Sequence, residues 1–257
     1  KYLYYFKKNK SNFEKQAEFI SNLLRTADKV HTVRHRIKDP CHLIEKIIRK
    51  SKERKKDKGN EFKFTVENYK DEITDLIGIR VIHIFKNDWK TIHDFIIDNW
   101  EIKENTVNIR KGDDTKEYEK NDIKTDIRKT GYRSIHYLIE CSPTKNKITA
   151  EIQVRTIFEE GYGEIDHLLN YPNENTDEIL KMSLLLFNRV SGSLDEMASF
   201  INKLNTDLIK RQQILLQKEK EITELKEIIN NSNMKKEEKD KINKIADSWI
   251  ENAKIYN

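Results

Sequence analysis

One run of residues constrains this chain more than any other. Residues 77–85, IGIRVIHIF, are mostly β-branched and almost continuously apolar. A run like this predicts a strand covered on both faces, since strict alternation would mark a strand with one wet face. A buried strand needs neighbours and a covering layer. The neighbours are predicted at 134–141 and 147–154, joined by a turn over SPTKN (142–146). A strand-like piece also occurs at 106–109, within the otherwise polar stretch 101–128.

Helices supply the cover. Phe13, Ala17, Ile20, Leu24 and Ala27 recur at spacings of three and four, which predicts an amphipathic helix over 11–31. A second helix is predicted over 41–53, with Pro40 just ahead of it, where proline is tolerated. Others follow at 88–99 and 155–169. SKERKKDKGN (51–60) reads as a charged loop. The expected fold class is α+β, a mixed sheet of four or five strands flanked by helices.

From residue 177 onward the pattern is helical only. Leu194, Ile201, Leu208, Leu215, Ile222 and Ile229 fall seven apart, but Arg211 and Lys218 interrupt the companion positions. NNSN (230–233) breaks the helix, and a last one is predicted over 235–254. The expectation is a long helical C-terminal extension whose distal part folds into a hairpin, with Ile242, Ile245 and Trp249 on the stripe. Its proximal part should pack on the preceding body.

Composition excludes some classes. Seven glycines and three prolines are too few for a sandwich or barrel built on Gly/Pro turns. No G-x-G-x-x-G and no G-x-x-x-x-G-K-[ST] is present. No apolar run is long enough to span a membrane. KYLYYFKKNK at the N-terminus lacks the apolar centre of a signal peptide. Cys41 and Cys141 are the only cysteines, too few for a disulfide framework, which suits a cytoplasmic protein. The net charge of +5 permits polyanionic ligands such as nucleotides or RNA without requiring them.

Four clusters could carry chemistry. Arg34, His35, Arg36 and Lys38, followed by Lys46, Arg49 and Lys50, could hold a triphosphate or form a solvated basic face. Asp75 enters the buried strand and Arg80 sits inside it, which is expensive unless the arginine is paired or serves a ligand. Gly78, two residues earlier on the same face, leaves space beside Arg80 for something flat. In TGYRSIH (130–136), Gly131 allows a tight turn and Tyr132 could stack on a base or fill the core. In AEIQVRT (150–156), alternation puts Glu151, Gln153 and Arg155 on one face, opposite Ile152 and Val154. Asp75 and Glu151, on neighbouring elements, could hold Mg²⁺ between them. His93-Asp94 is read as a chance dyad, because a metal-dependent phosphohydrolase needs further ligands.

In order and spacing, RIKDPCHLIEKIIRK, DLIGIR, GYRSIH, AEIQVRT and GEIDH (163–167) resemble the synthetase domain of the RelA/SpoT homologue family. That family transfers pyrophosphate from ATP to the ribose 3′-hydroxyl of GDP or GTP. The resemblance covers roughly residues 30–170 and implies a nucleotidyltransferase-like fold. It divides the chain into a synthetase domain (1–176) and a helical extension (177–257), as in small single-domain alarmone synthetases.

The resemblance implies roles by position. Asp75 and Glu151 are the Mg²⁺ carboxylates, and Glu151 with Gln153 takes the proton of the attacking hydroxyl. Arg36 and Arg80 sandwich the adenine of ATP, while Lys38 and Lys46 neutralise its phosphates. Tyr132 stacks on the acceptor guanine. Arg133, His136 and Arg155 serve acceptor phosphates or site order, and His167 is either structural or a ligand. The sequence departs from the family at His42 and Thr130, where serine and asparagine are usual, which opens the nucleotide preference. Some relatives are toxins that modify the 3′ end of tRNA, and others use adenosine nucleotides. Candidate partners are therefore ATP and GDP or GTP, then tRNA, an antitoxin protein and a second copy of the chain.

Overall fold

The computed structural model describes residues 2–66, 68–142, 147–170 and 177–255. The elements run α1 (Tyr2–Leu24), β1 (Thr32–Ile37), α2 (Pro40–Lys58), α3 (Tyr69–Glu72), β2 (Ile77–His83) and a 3₁₀ turn (Lys86–Asp88). Then come α4 (Trp89–Asn99), β3 (Glu101–Ile109), α5 (Lys116–Lys120), β4 (Lys124–Ile127), β5 (Ser134–Cys141) and β6 (Ile148–Thr156). The helices α6 (Ile157–Asn170), α7 (Glu178–Asn231) and α8 (Lys236–Ile255) complete the chain.

Six strands form one mixed sheet in the order β1-β2-β6-β5-β3-β4. The buried strand β2 lies next to the sheet edge, antiparallel to β1 and parallel to β6. Register decides the two faces, because directly paired residues share a face. Ile77, Ile79 and Val81 align with Ala150, Ile152 and Val154, and these with Ile135, Tyr137 and Ile139. That face is the core, closed by α1 through Phe6, Phe13, Ala17, Ile20 and Leu24, all fully buried. Helix α4 closes it further along with Trp89, Ile92 and Ile96. The opposite face carries Arg36, Gly78, Arg80, Glu151, Gln153, Arg155, His136, Thr106 and Asn108.

Three local expectations change. Helix α1 begins well before residue 11, because Phe6 extends the buried stripe by one heptad step from Phe13. The charged tract 51–58 is not a loop but the second half of α2. Lys50, Arg54 and Lys58, each one turn apart, all reach back to Glu72. The strand count rises to six, because the basic stretch 32–37 is the edge strand β1 and the polar 101–109 is the long strand β3. The turn expected over 142–146 lies, from Pro143 on, outside the described residues.

The chain divides into two compact units, Lys1–Ser199 and Phe200–Asn257. In the first, α7 packs through Leu184, Asn188, Ser191, Gly192 and Asp195. That face is mostly polar and is not the heptad line, for Leu194 is 41% exposed. In the second, α8 folds back along distal α7, with Lys226 Nζ 2.5 Å from Asp247 and Asn243 bonded to Asn230. There α8 turns Ile242, Ala246 and Ile250 inward and leaves Ile245 and Trp249 exposed, contrary to the expected seam. Among the described residues, no helix is long and apolar enough to cross a membrane.

Candidate active site

The polar face is built by the strand ends that meet where β1 leaves the sheet and β2 enters it. The Lys38 amide bonds the Leu76 carbonyl at 3.0 Å, which fixes residue 38 beside residue 75. Asp39 then caps α2 by accepting from the amides of Cys41 and His42, with Pro40 in the first turn. This aims Lys46, two turns into α2, back at the same point. Lys38 Nζ and Lys46 Nζ lie 2.7 and 2.8 Å from Asp75 Oδ2. Burial pushes the Asp75 carboxyl up, but the two ammonium groups prevail and hold it below its ordinary range. Its other oxygen, Oδ1, is buried and has no hydrogen-bond partner among the described residues.

Glu151 lies on β6 opposite Gly78 of β2. Its Oε1 is 3.2 Å from His136 Nδ1, and its Oε2 accepts from Gln153 Nε2 at 2.9 Å. Burial raises its carboxyl, His136 outweighs that, and the charge of Asp75 pushes the other way. The net shift is downward. His136 in turn faces the Tyr132 hydroxyl at 3.3 Å through Nε2. Arg155 Nη2 donates to the same hydroxyl at 2.5 Å and to Gln153 Oε1, and its guanidinium lies over the Tyr132 ring, 5.1 Å from the centroid. His136 thus bridges the Tyr132 hydroxyl and the Glu151 carboxylate through its two ring nitrogens.

Helix α6 closes the other side. Arg155 Nη1 donates to Glu160 Oε2 at 2.8 Å, and Arg80 Nη1 contacts Glu160 Oε1 at 3.0 Å as well as Glu164. Arg80 is therefore a paired arginine in the sheet. The space above Gly78 is taken by Arg36, whose Cγ and Nε would lie 3.4 Å from an added Cβ. Arg36, Arg80, Tyr132, Gln153, Arg155 and His167 line one cleft of about 320 Å³. A second cleft of about 250 Å³, on the other side of Glu151, is lined by Thr106, Asp126, Arg128 and His136 among others. There Arg128 is held by Asn108 Oδ1 at 2.5 Å and Asp126 Oδ2 at 3.1 Å.

The structure thus gathers Arg36, Lys38, Lys46, Asp75, Arg80, Tyr132, His136, Glu151, Gln153, Arg155 and His167 on one side of the sheet. It does not bring Arg133 there. Adjacent residues of an extended chain point to opposite faces, and Arg133 is buried behind the sheet, 3.7 Å from Glu159. Sequence reasoning missed Glu160, Asn108, Asp126 and Arg128. Glu160 and Glu164, one helical turn apart, were the readable signal for a carboxylate pair facing an arginine strand. His93 is 4% exposed and bonds the Tyr137 hydroxyl at 3.0 Å, so the His-Asp dyad is structural.

Among the described residues, no three His, Cys, Asp or Glu side chains cluster as metal ligands. Asp75 and Glu151 still fit Mg²⁺. The unpartnered Oδ1 of Asp75 is a hard oxygen donor, and two carboxylates with phosphate oxygens and water are how Mg²⁺ is commonly held.

A family model described as a region found in RelA / SpoT proteins matches residues 35–176, more than half of the chain. Small alarmone synthetase 1 from Bacillus subtilis superposes with a TM-score of 0.57 at 18% identity, covering 76% of this chain and 94% of that one. A GTP pyrophosphokinase family protein from Streptococcus pneumoniae gives 0.57 at 21% identity, with coverage of 79% and 93%. Small alarmone synthetase 2 from Bacillus subtilis gives 0.51 at 22% identity, with coverage of 78% and 96%. These likenesses establish the shared fold, and no curated protein matches the chain. With the family model spanning β2, β6 and the carboxylates Asp75 and Glu151, the chain belongs to the RelA/SpoT family.

Proposed function

We propose that this protein is a pyrophosphokinase that moves the β,γ-pyrophosphate of ATP to the ribose 3′-hydroxyl of GDP or GTP, giving a (p)ppGpp-type alarmone. The observation that carries this reading is the pairing of Lys38 and Lys46 on Asp75 beside a hydrogen-bonded Glu151. Two cations, two carboxylates and flanking clefts are what a transfer between two nucleotides requires. Such transfer needs little covalent help and depends on placement and charge. Small alarmone synthetase 1 from Bacillus subtilis has been solved bound to its product pppGpp and, separately, to AMPCPP.

On this reading Lys38 and Lys46 turn from Asp75 to the donor phosphates and offset their charge. Arg36 and Arg80 flank the adenine, Arg80 exchanging carboxylate partners for the base. Tyr132 offers its ring to the acceptor base. Glu151 is ionised at neutral pH and accepts the 3′-hydroxyl proton, with His136 and Gln153 holding its carboxylate in place. Asp75 and Glu151 would hold Mg²⁺, which would offset the charge of the donor phosphates as the 3′-oxygen bonds the β-phosphorus and AMP leaves. A reaction on these nucleotides belongs in the cytoplasm.

The test is to incubate the protein with γ-labelled ATP and Mg²⁺ and to offer GDP, GTP, AMP and tRNA separately. Label in GDP or GTP supports the proposal. Label only in tRNA or AMP keeps the reaction and changes the acceptor, and label in none overturns it.

A further inference from the structure

Helix α7 buries an unexpected face. Asn188, Ser191 and Asp195 are 1–3% exposed, while Met182, Leu186 and Val190 on the same helix are 47–70% exposed. Hydrophobic burial does not explain a helix that hides its polar side. What the polar side touches does. Asn188 Nδ2 donates to the Gly131 carbonyl at 2.9 Å, and from α6 the Tyr162 hydroxyl donates to the Thr130 carbonyl at 2.9 Å. Gly131 has φ +75°, and a Cβ there would sit 2.8 Å from Asn188 Oδ1. Gly192, one turn on, lies so close to Arg133 that a Cβ would meet its guanidinium nitrogens at 2.7 and 2.8 Å.

The turn 130–133 is therefore held on both sides, and it carries Tyr132. Residues 131 and 133 face α7, while Tyr132 faces the cleft with His136 and Arg155. A loop carbonyl bonded to a buried amide, and a guanidinium seated on a glycine, leave the intervening residue little freedom. We propose that Asn188 and Gly192 of α7 are positioning residues that fix the turn 130–133 so that the Tyr132 ring is presented to the acceptor nucleotide. The inference rests on the pyrophosphokinase reading for its kinetic consequence but not for its structural one.

The test uses the full-length protein and the variants Asn188→Ala, Asn188→Asp and Gly192→Ala. Asn188→Asp keeps the size and loses the donor. Gly192→Ala adds one methyl group against the far end of the Arg133 side chain and keeps the test decisive should an Asn188 variant fail to fold. The first readout is hydrogen exchange of the ligand-free protein. Exchange at amides 131–133 should rise about tenfold, with β2 and β6 unchanged, since local opening follows the loss of local contacts. The second is kinetics with ATP and GDP. The KM for GDP should rise about tenfold while the KM for ATP and kcat stay within about threefold, as for a lost ground-state contact to one substrate. Unchanged exchange at 131–133, or a rise spread evenly over the sheet, overturns the positioning role. Equal rises in both KM values overturn it too. If wild type transfers nothing to GDP, the functional reading fails on its own, and the exchange result alone decides whether α7 fixes the turn.

Discussion

Asp75 answers to two lysines through one oxygen and to nothing through the other. That asymmetry separates two roles. If the carboxylate only neutralises Lys38 and Lys46, Asp75→Asn weakens ATP binding and little else. If it also holds Mg²⁺, transfer should fall by at least about a hundredfold, or about 2.7 kcal/mol of barrier. Initial rates across a Mg²⁺ titration decide, because a charge-only role gives normal rates at saturating ATP. Tyr132 is a second case. Base stacking alone would make Tyr132→Phe harmless, but the hydroxyl links Arg155 to His136. Tyr132→Phe should therefore lower kcat while leaving the KM for GDP near wild type, and Tyr132→Ala should raise that KM as well, by about 1–3 kcal/mol of lost stacking. Equal effects of Phe and Ala in steady-state kinetics would remove the ring from the argument. Period two made Glu151, Gln153 and Arg155 legible as one face. Glu160 and Glu164 of α6 were legible as a pair on one helix face, but which arginines they hold was not, because pairing across α6 and the sheet is fixed by tertiary packing.

At the scale of elements, the misread pieces are the charged ones. TVRHRI became a strand because an edge position needs only Val33 to point inward, and it is 5% exposed. Its arginines stand on the outer face or at the edge, where charge is tolerated. The tract after Lys50 became helix for a different reason. Arg54 Nε and Lys58 Nζ each lie 2.7 Å from a Glu72 carboxylate oxygen, and Lys50 Nζ bonds the Glu72 carbonyl at 2.8 Å. One acidic residue on α3 thus organises two turns of a helix that would otherwise repel itself, and no local pattern in 51–60 announces it. Glu72 is 9% exposed, and although burial raises its carboxyl, Lys58 and Arg54 hold it net below the ordinary range. Replacing Glu72 with Gln should fray α2 beyond residue 50 and cost about 1–3 kcal/mol through lost charged hydrogen bonds. Hydrogen exchange across 51–58 would show it. If those amides stay as protected as in wild type, the clamp is not what makes the helix.

At the scale of the whole molecule, one carboxyl among the described residues opposes the others in acid. Asp195, on α7, is 1% exposed. Burial first, and the charge of Glu159 on α6 second, raise its pKa to about 7. Arg133 before β5, Thr156 at the end of β6 and Lys86 of the 3₁₀ turn face it and pull the other way without prevailing. The sign follows from proton counting. Between the unfolded value of 3.8 and about 7 the folded state keeps a proton that the unfolded chain has lost, so stability falls as pH rises through that window. Above it the full penalty remains, on the order of 4 kcal/mol for a shift of this size. Asp75, Glu72 and Glu151 act in the opposite sense, since their lowered values make their contribution present at neutral pH and lost on acidification. Wild-type stability should therefore peak on the acid side of neutrality. Asp195→Asn cancels only the neutral-side loss. Its melting temperature should match wild type near pH 4 and exceed it by several degrees near pH 8, measured by calorimetry or circular dichroism in the same buffers. A constant offset between the two proteins at both pH values would mean that Asp195 is already ionised in the fold, with Arg133 or Lys86 as its true partner.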